Sequence, residues 1–447
     1  MPDCIVRFGG NNLLDPKIID SLITLLKKSD KSHLLVVSAT RSIQDILTEG
    51  IQALVSTHCE PNIIFEKITG EIAKISNLFS LTNYDVNPLV EKLNTLLRGI
   101  YFTGDFSLAL QDQVISFSEK ITATLLHEIL QHNNIDNKVH LPEEFGLIVS
   151  EEYGNASILT EESMSISKYQ FGRISIIPGS YGITQNKKIA RTGYRAADYT
   201  AATLTSIFEL EQLELWQISK PFKTADETIV PKAGYVDSLT YSEASELSYF
   251  NCSGIHPRIV EPLIEKHIPI CIYDLCNNAK VLRTTIDSTN TPTPQIVKSV
   301  AHTDDIAVLK LNGPGVGFKP GILATVTSAF SNKRINIRSV ITAQTSINII
   351  LDKSSIRQAR EICDKLSLSS VNEIDIAEHV SLIAVVGCGM QTNHGISSRI
   401  FGAVDKNKIN VLISGSGASD LVSYLVVKEE DKFDAIKEIH KVFFNKC

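Results

Sequence analysis

The sequence has little that would mark a membrane, secreted or nucleic-acid-binding protein. No apolar stretch approaches the ~18 residues that a bilayer span requires. Residues 1–7 run straight into a strand-like segment with no charged-then-apolar leader, so no signal peptide is expected. Basic residues are fewer than acidic ones, 43 against 50, for a net charge of −7. Nothing in that balance suggests the basic footprint of a nucleic-acid binder, which needs basic residues clustered on one face. The eight cysteines (Cys4, Cys59, Cys252, Cys271, Cys276, Cys363, Cys388 and Cys447) form no CxxC pair. They read as buried, reduced thiols of a cytoplasmic protein. What is present is an ordinary globular composition, 43% hydrophobic and 21% charged over 447 residues. That length exceeds one core and predicts two or three domains.

The first ~290 residues alternate short apolar runs with longer amphipathic ones. Strands are predicted at 4–8, 34–38, 173–178, 213–219 and 268–273. Helices are predicted at 16–28, 43–55, 63–78, 111–131, 161–169 and 198–208. Such alternation predicts βαβ units and a mostly parallel sheet covered on both faces. Ligands of such sheets bind beyond the carboxyl ends of the strands, so the turns there are the place to seek chemistry. A polar, Pro-rich stretch, Asp287-Ser-Thr-Asn-Thr-Pro-Thr-Pro294, then breaks the pattern and reads as a linker.

Beyond it one pattern occurs twice. Strand (306–311), glycine turn, helix (320–332) and strand (335–342) are followed by strand (381–386), glycine turn, helix (395–407) and strand (409–414). Closely similar stretches, Asn332-Lys-Arg-Ile-Asn-Ile337 and Asn407-Lys-Ile-Asn-Val411, follow the two helices. This repeat resembles the ACT domain, a ferredoxin-like βαββαβ sensor of small molecules. Gly387-Cys-Gly-Met390 and Gly395-Ile-Ser-Ser-Arg-Ile-Phe401 are similar to the form of it found in aspartokinases.

The N-terminal region resembles the same family. Arg7-Phe-Gly-Gly-Asn-Asn12 sits where aspartokinases carry Lys-Phe-Gly-Gly-Thr-Ser, and two glycines after a strand let backbone amides approach a phosphate. Taken alone, that pair is better explained by a tight turn. Val36-Val-Ser-Ala39 is similar to the Val-Ser-Ala turn, and Ser116-Phe-Ser-Glu-Lys120 to Ser-x-Gly-Glu. Without the resemblance, Glu119 would read as a macrodipole partner at a helix start. Pro178-Gly-Ser-Tyr-Gly182 and Thr192-Gly-Tyr-Arg-Ala-Ala-Asp-Tyr-Thr-Ala201 align with Gln-Gly-Phe-x-Gly and Leu-Gly-Arg-Gly-Gly-Ser-Asp-Tyr-Thr-Ala.

Several family positions differ. Arg7 replaces a lysine and keeps its charge, with a planar fork in place of a point charge. Tyr194 replaces the arginine that clamps a substrate carboxylate, with Arg195 one residue later. Gln44-Asp45 stand for Thr-Asn, Thr228 for an arginine and Ser253 for a lysine. Lys187, Lys188 and Arg191 form a basic cluster that reads as a solvated hairpin tip; the other reading is that it compensates for the missing cations. His256-Pro257 is explained by helix initiation.

The resemblance implies an α/β amino-acid kinase (carbamate-kinase-like) domain, a three-layer sandwich with a mainly parallel sheet. It also implies C-terminal ferredoxin-like (α+β) tandem ACT domains. The boundaries are 1–286 and 287–447, with a first module at 302–368 completed by 425–447 and a second at 369–424 inserted in it. The implied reaction is transfer of the ATP γ-phosphoryl, with Mg²⁺, to the side-chain carboxylate of aspartate, the first step of aspartate-family amino-acid biosynthesis. Two alternatives stand beside it: a catalytically impaired fold that senses a ligand or binds a partner, and a kinase for another carboxylate. The implied catalytic residues are Arg7, Glu119 and Asp198. Gly9, Gly10, Trp216 and Asp226 would hold phosphate and nucleotide, and Ser38, Gln44, Gly179 and Arg195 the amino acid. An effector would meet Phe318, Gly321, Ile322 and Arg338, where an acidic position of lysine-sensitive members has become basic. A homodimer through the ACT domains is expected, with no nucleic-acid or membrane partner.

Overall fold

The computed structural model describes all residues except 83–84, 105, 251–253, 289–295, 367, 369, 418 and 445–447. Ser253, Cys252, Cys447 and most of the linker expected at 287–294 lie outside the described residues. The chain forms two compact units, the first comprising 1–222, 237–248 and 253–290, the second 223–236, 249–252 and 291–447.

In the N-terminal unit, buried β-branched and leucine-rich runs become the central strands. These are β1 (Cys4–Phe8), β2 (His33–Val37), β3 (Lys138–Val139) and β4 (Ile174–Pro178). After the two-stranded ribbon of β5 (Tyr181–Ile183) and β6 (Ile189–Arg191) come β7 (Leu213–Trp216), β8 (Ser238–Thr240), β9 (Ile270–Cys276) and β10 (Ala279–Asp287). The eight-stranded sheet has the order β3-β4-β2-β1-β7-β9-β10-β8, with only the β9–β10 pair antiparallel.

Side chains alternate across it. Val6, Phe8, Leu35 and Val37 face α1 (Pro16–Lys28), α2 (Arg41–Ser56), α3 (Pro61–Leu78), α4 (Asn87–Thr103) and α5 (Leu108–His132), forming one large core. After the short α6 (Pro142–Phe145), helix α7 (Ala197–Ile207) covers the other face, where Gly179 is pressed between Val36 and Ala197. The unit is therefore a three-layer sandwich with a mainly parallel sheet, closed by α8 (Tyr241–Tyr249). The helix predicted at 161–169 is only a 3₁₀ turn, Met164–Lys168. Ser163, just before it, spends its hydroxyl on the Ile148 amide, a local competition that disfavours helix. Cys4, Cys271 and Cys363 are buried as free thiols, but Cys276 is exposed at the end of β9, contrary to the uniform burial expected.

The C-terminal unit contains two four-stranded sheets. Strands β12 (Ala307–Asn312), β13 (Ile337–Thr342), β14 (Ser346–Leu351) and β15 (Glu373–Ala377), with helices α9 (Ile322–Asn332) and α10 (Ile356–Lys365), form one continuous βαββαβ module of sheet order β13-β14-β12-β15. The other module uses β16 (Val380–Val386), α11 (Ile396–Lys406), β17 (Ile413–Gly415), β18 (Val422–Lys428) and α12 (Lys432–Phe444). Its fourth strand is β11 (Ser299–Thr303), which precedes the first module and pairs antiparallel with β16. The nesting is thus the reverse of the one expected: the first repeat is inserted in the second. The second repeat has no strand of its own after α12 among the described residues, and β11 covers the edge that would otherwise lie open. Ser339 Oγ and Tyr424 OH, 2.6 Å apart, join the modules. The segment 223–236 also belongs here, with Ala225 and Ile229 packed into the second module's core. No helix of the described residues is long and apolar enough to cross a membrane.

Candidate active site

The turns after β1, β2, β4 and β7 surround an open cleft at the carboxyl ends of the strands. Arg7 reaches it because β1 alternates: Val6 and Phe8 enter the large core, so Arg7 points to the α7 side. There Arg7 Nε lies 2.5 Å from Asp198 Oδ1, a charge contact whose N–H direction falls short of a hydrogen bond. Asp198 is in the first turn of α7 and is fully buried; its Oδ2 accepts the His256 amide at 2.7 Å. The pair leaves part of the Arg7 guanidinium lining the cleft.

The two glycines do different jobs. A Cβ at Gly10 would lie 2.2 Å from the Ser38 carbonyl oxygen, so Gly10 is required by close approach of the first turn to the second. Its amide donates to Ser38 Oγ at 3.1 Å. A Cβ at Gly9 would meet Arg7 Nη1 at 3.2 Å, so this bare position keeps the guanidinium uncovered. Three non-glycine residues on the lining, Ser180, Arg195 and Gln217, have φ of 65°, 60° and 52°. Left-handed backbone costs roughly 1–2 kcal/mol for such residues and gathers at functional sites.

Glu119 lines the cleft from the middle of α5, not from a helix start, which removes the macrodipole reading. Burial pushes its carboxyl up to about 7, with the Arg191 charge and the Ser118 hydroxyl pulling the other way. On the same helix burial also raises Asp112, opposed by the amides of Arg191 and Gly154 that donate to it, each at 2.8 Å. His256 has its pKa lowered by burial, and its Nδ1 accepts the Arg258 amide at the start of a 3₁₀ turn.

Arg7, Gly9, Gly10, Ser38, Gln44, Glu119 and Arg195 are brought together on the cleft, with Asp198 directly behind. Gly179 lies beneath, where a Cβ would be 2.5 Å from that of Ala197. Trp216 is buried in β7, its Nε1 donating to Glu214 at 2.6 Å, and its neighbour Gln217 lines the cleft in its place. Asp226 belongs to the C-terminal unit, where its Oδ1 accepts the Thr228 amide and hydroxyl. Of the residues assigned to an effector, Ile322 is packed in the first module's core, Phe318 is 90% exposed and Gly321 begins α9 with φ of 93°. Arg338 is ion-paired with Asp352 of its own module.

Sequence reasoning missed Arg41, which opens α2 on the cleft rim and whose amide donates to Asn11 Oδ1 at 2.8 Å; a basic first residue after the second strand's turn was the available signal. Arg191 corrects another expectation. Lys187 and Lys188 are exposed on the ribbon's tip, but Arg191 is only 8% exposed, because β6 lies along α5.

Comparison with known proteins agrees with this architecture. The Amino acid kinase family model matches residues 4–274 and an ACT domain model matches 383–443. The bifunctional aspartokinase/homoserine dehydrogenase of Buchnera aphidicola is 26% identical over 99% of the chain, which spans only 57% of that relative. Aspartokinase 1 of Arabidopsis thaliana (chloroplastic) is 24% identical over 99% of the chain and 80% of its own length. A crystal structure of E. coli aspartokinase III in complex with aspartate and ADP superposes with a TM-score of 0.81 at 20% identity, covering 99% of this chain and all of that one. The family model alone spans more than half of the sequence, the similarity to aspartokinases covers 99% of it, and the chain belongs to the amino acid kinase family.

Proposed function

We propose that the chain is an aspartokinase-type enzyme that transfers the ATP γ-phosphoryl to the side-chain carboxylate of aspartate under control of its ACT modules. The observation that carries this reading is the cleft, where a cation on the first strand, a glycine turn and a buried carboxylate converge at the sheet's carboxyl edge. Phosphoryl transfer is catalysed mainly by positioning and by positive charge around a polyanion. Arg7 supplies that charge, held in place by Asp198, while the Gly9 and Gly10 turn leaves it uncovered. Ionised Glu119 receives the substrate ammonium, and Ser38 and Gln44 shape the acceptor's end of the cleft.

The polar lining and the cationic side chains of Arg7, Arg41 and Arg195 fit a nucleotide's phosphates. Bound there, ATP would supply the phosphoryl group, and Mg²⁺ would offset the charge of its phosphates. The modules would pair with those of a second copy. An effector carboxylate would have to compete with Asp352 for Arg338, which favours a ligand more acidic than lysine.

The test is ATP consumption against a panel of amino and carboxylic acids, with ADP binding followed by calorimetry. Turnover with aspartate is expected. Turnover with another acid only would replace the acceptor, and no ADP binding at millimolar concentration would defeat the kinase reading.

A further inference from the structure

Among the described residues three cationic side chains line the cleft, and two of them are held. Arg7 lies against the buried Asp198, and Arg195 is turned onto the Tyr194 ring at 5.2 Å. Arg41 differs. Its Nε meets Asp45, one turn on, at 3.4 Å, with the two side chains 68% and 50% exposed. A long, solvated pair of that kind holds weakly and gives way to a better-placed anion. No other ion pair or hydrogen bond engages this guanidinium among the described residues, so its two terminal nitrogens are open to the cleft.

The backbone beneath Arg41 is fixed relative to Glu119, the carboxylate that receives the acceptor's ammonium. The Arg41 amide donates to Asn11 Oδ1 at 2.8 Å, which ties the start of α2 to the turn after β1. The preceding amide, of Thr40, donates to Thr122 Oγ1 at 3.1 Å, and that hydroxyl donates to the Ser118 carbonyl oxygen on α5. Glu119 stands three residues before Thr122, so it shares that face of α5, and it lines the same cleft. Gln44, one turn beyond Arg41, is on the lining as well and shapes the acceptor's end. An amino acid needs an anion for its ammonium and, beside it, a cation for its α-carboxylate, which a guanidinium can hold through two parallel N–H groups. We infer that Arg41 grips the α-carboxylate of the acceptor amino acid. The side-chain carboxylate is not the one gripped, because it must stay free to take the phosphoryl group. Resemblance gives the clamp to the position of Tyr194, which is 53% exposed here. A clamp supplied from α2 makes that substituted tyrosine compatible with an amino-acid substrate. The inference rests on the proposed function and, of the three cations, leaves Arg7 and Arg195 to the phosphates.

The full-length chain carrying Arg41→Gln tests this by calorimetry with aspartate and, separately, with ADP. Aspartate affinity is expected to fall about thirtyfold, the scale of a hydrogen bond to a charged group, with ADP affinity unchanged. Wild-type protein should bind aspartate about thirtyfold better than its α-amide, which keeps the ammonium and the side-chain carboxylate. Arg41→Gln should bind the two alike, and Arg41→Lys should recover part of the preference. Undiminished aspartate affinity in Arg41→Gln, or a retained preference over the α-amide, overturns the assignment alone. So does a loss of ADP affinity with aspartate affinity kept, which would place Arg41 on the phosphates. Wild-type protein that binds ADP but no amino acid overturns the functional reading together with it.

Discussion

Glu119 is the residue where stability and chemistry meet. In the folded protein its carboxyl titrates at about 7, against an ordinary value of 4.5. Between these values the folded chain holds a proton that the unfolded chain releases, so this group's contribution to stability declines as pH rises from about 4.5 to about 7. The Glu119→Gln variant cannot ionise and should lose that slope. Relative to wild type it should gain about 3 kcal/mol between pH 4.5 and 8, read from urea denaturation at the two values. Parallel stability curves would contradict the raised pKa. If ionised Glu119 receives an ammonium group, kcat/KM for aspartate should rise through pH 7 in the wild type, and the variant's profile should be flat there.

At the scale of elements, the turn after β1 separates a packing role from a binding role. Gly10→Ala would drive a Cβ into the backbone of Ser38 and Ala39, atoms that cannot rotate away. A loss of about 3 kcal/mol of stability is expected, measured as a lowered denaturation midpoint. Gly9→Ala crowds the tip of the Arg7 side chain and meets Asn12 only at ordinary contact distance, so its midpoint should stay near wild type while kcat falls about tenfold through a displaced guanidinium. Equal stability losses in the two variants would contradict this division. The nested modules obey a similar logic of elements: β11 gains a full antiparallel partner in β16, and the module gains its fourth strand.

For the whole molecule the prediction concerns assembly. The C-terminal unit leaves Phe318 90% exposed, and its sheets keep edge strands such as β13 and β15 that can accept a further strand. Sedimentation should give a mass of about twice 49.2 kDa, and Phe318→Ser should weaken that dimer. A monomer at micromolar concentration would remove the second copy from the proposal.

Much of this was legible because it is written in local periods. The apolar runs of β1 and β2, the 3.6-residue pattern of α1, α2, α3 and α5 and the duplicated strand–turn–helix need only neighbours along the chain, whereas α4 was not foreseen. The glycine turn, Glu119 and Asp198 were legible through resemblance, and the cleft gathers them. Partner choice was not legible, because it depends on residues far apart in sequence. The tertiary structure decided that Arg7 faces Asp198, that Trp216 yields its place on the cleft to Gln217, and that Asp226 serves the C-terminal unit. It also decided which repeat encloses the other. Arg191 is the sharpest case: the sequence shows a basic residue near a polar hairpin tip. Only the packing of β6 against α5 takes that charge out of water.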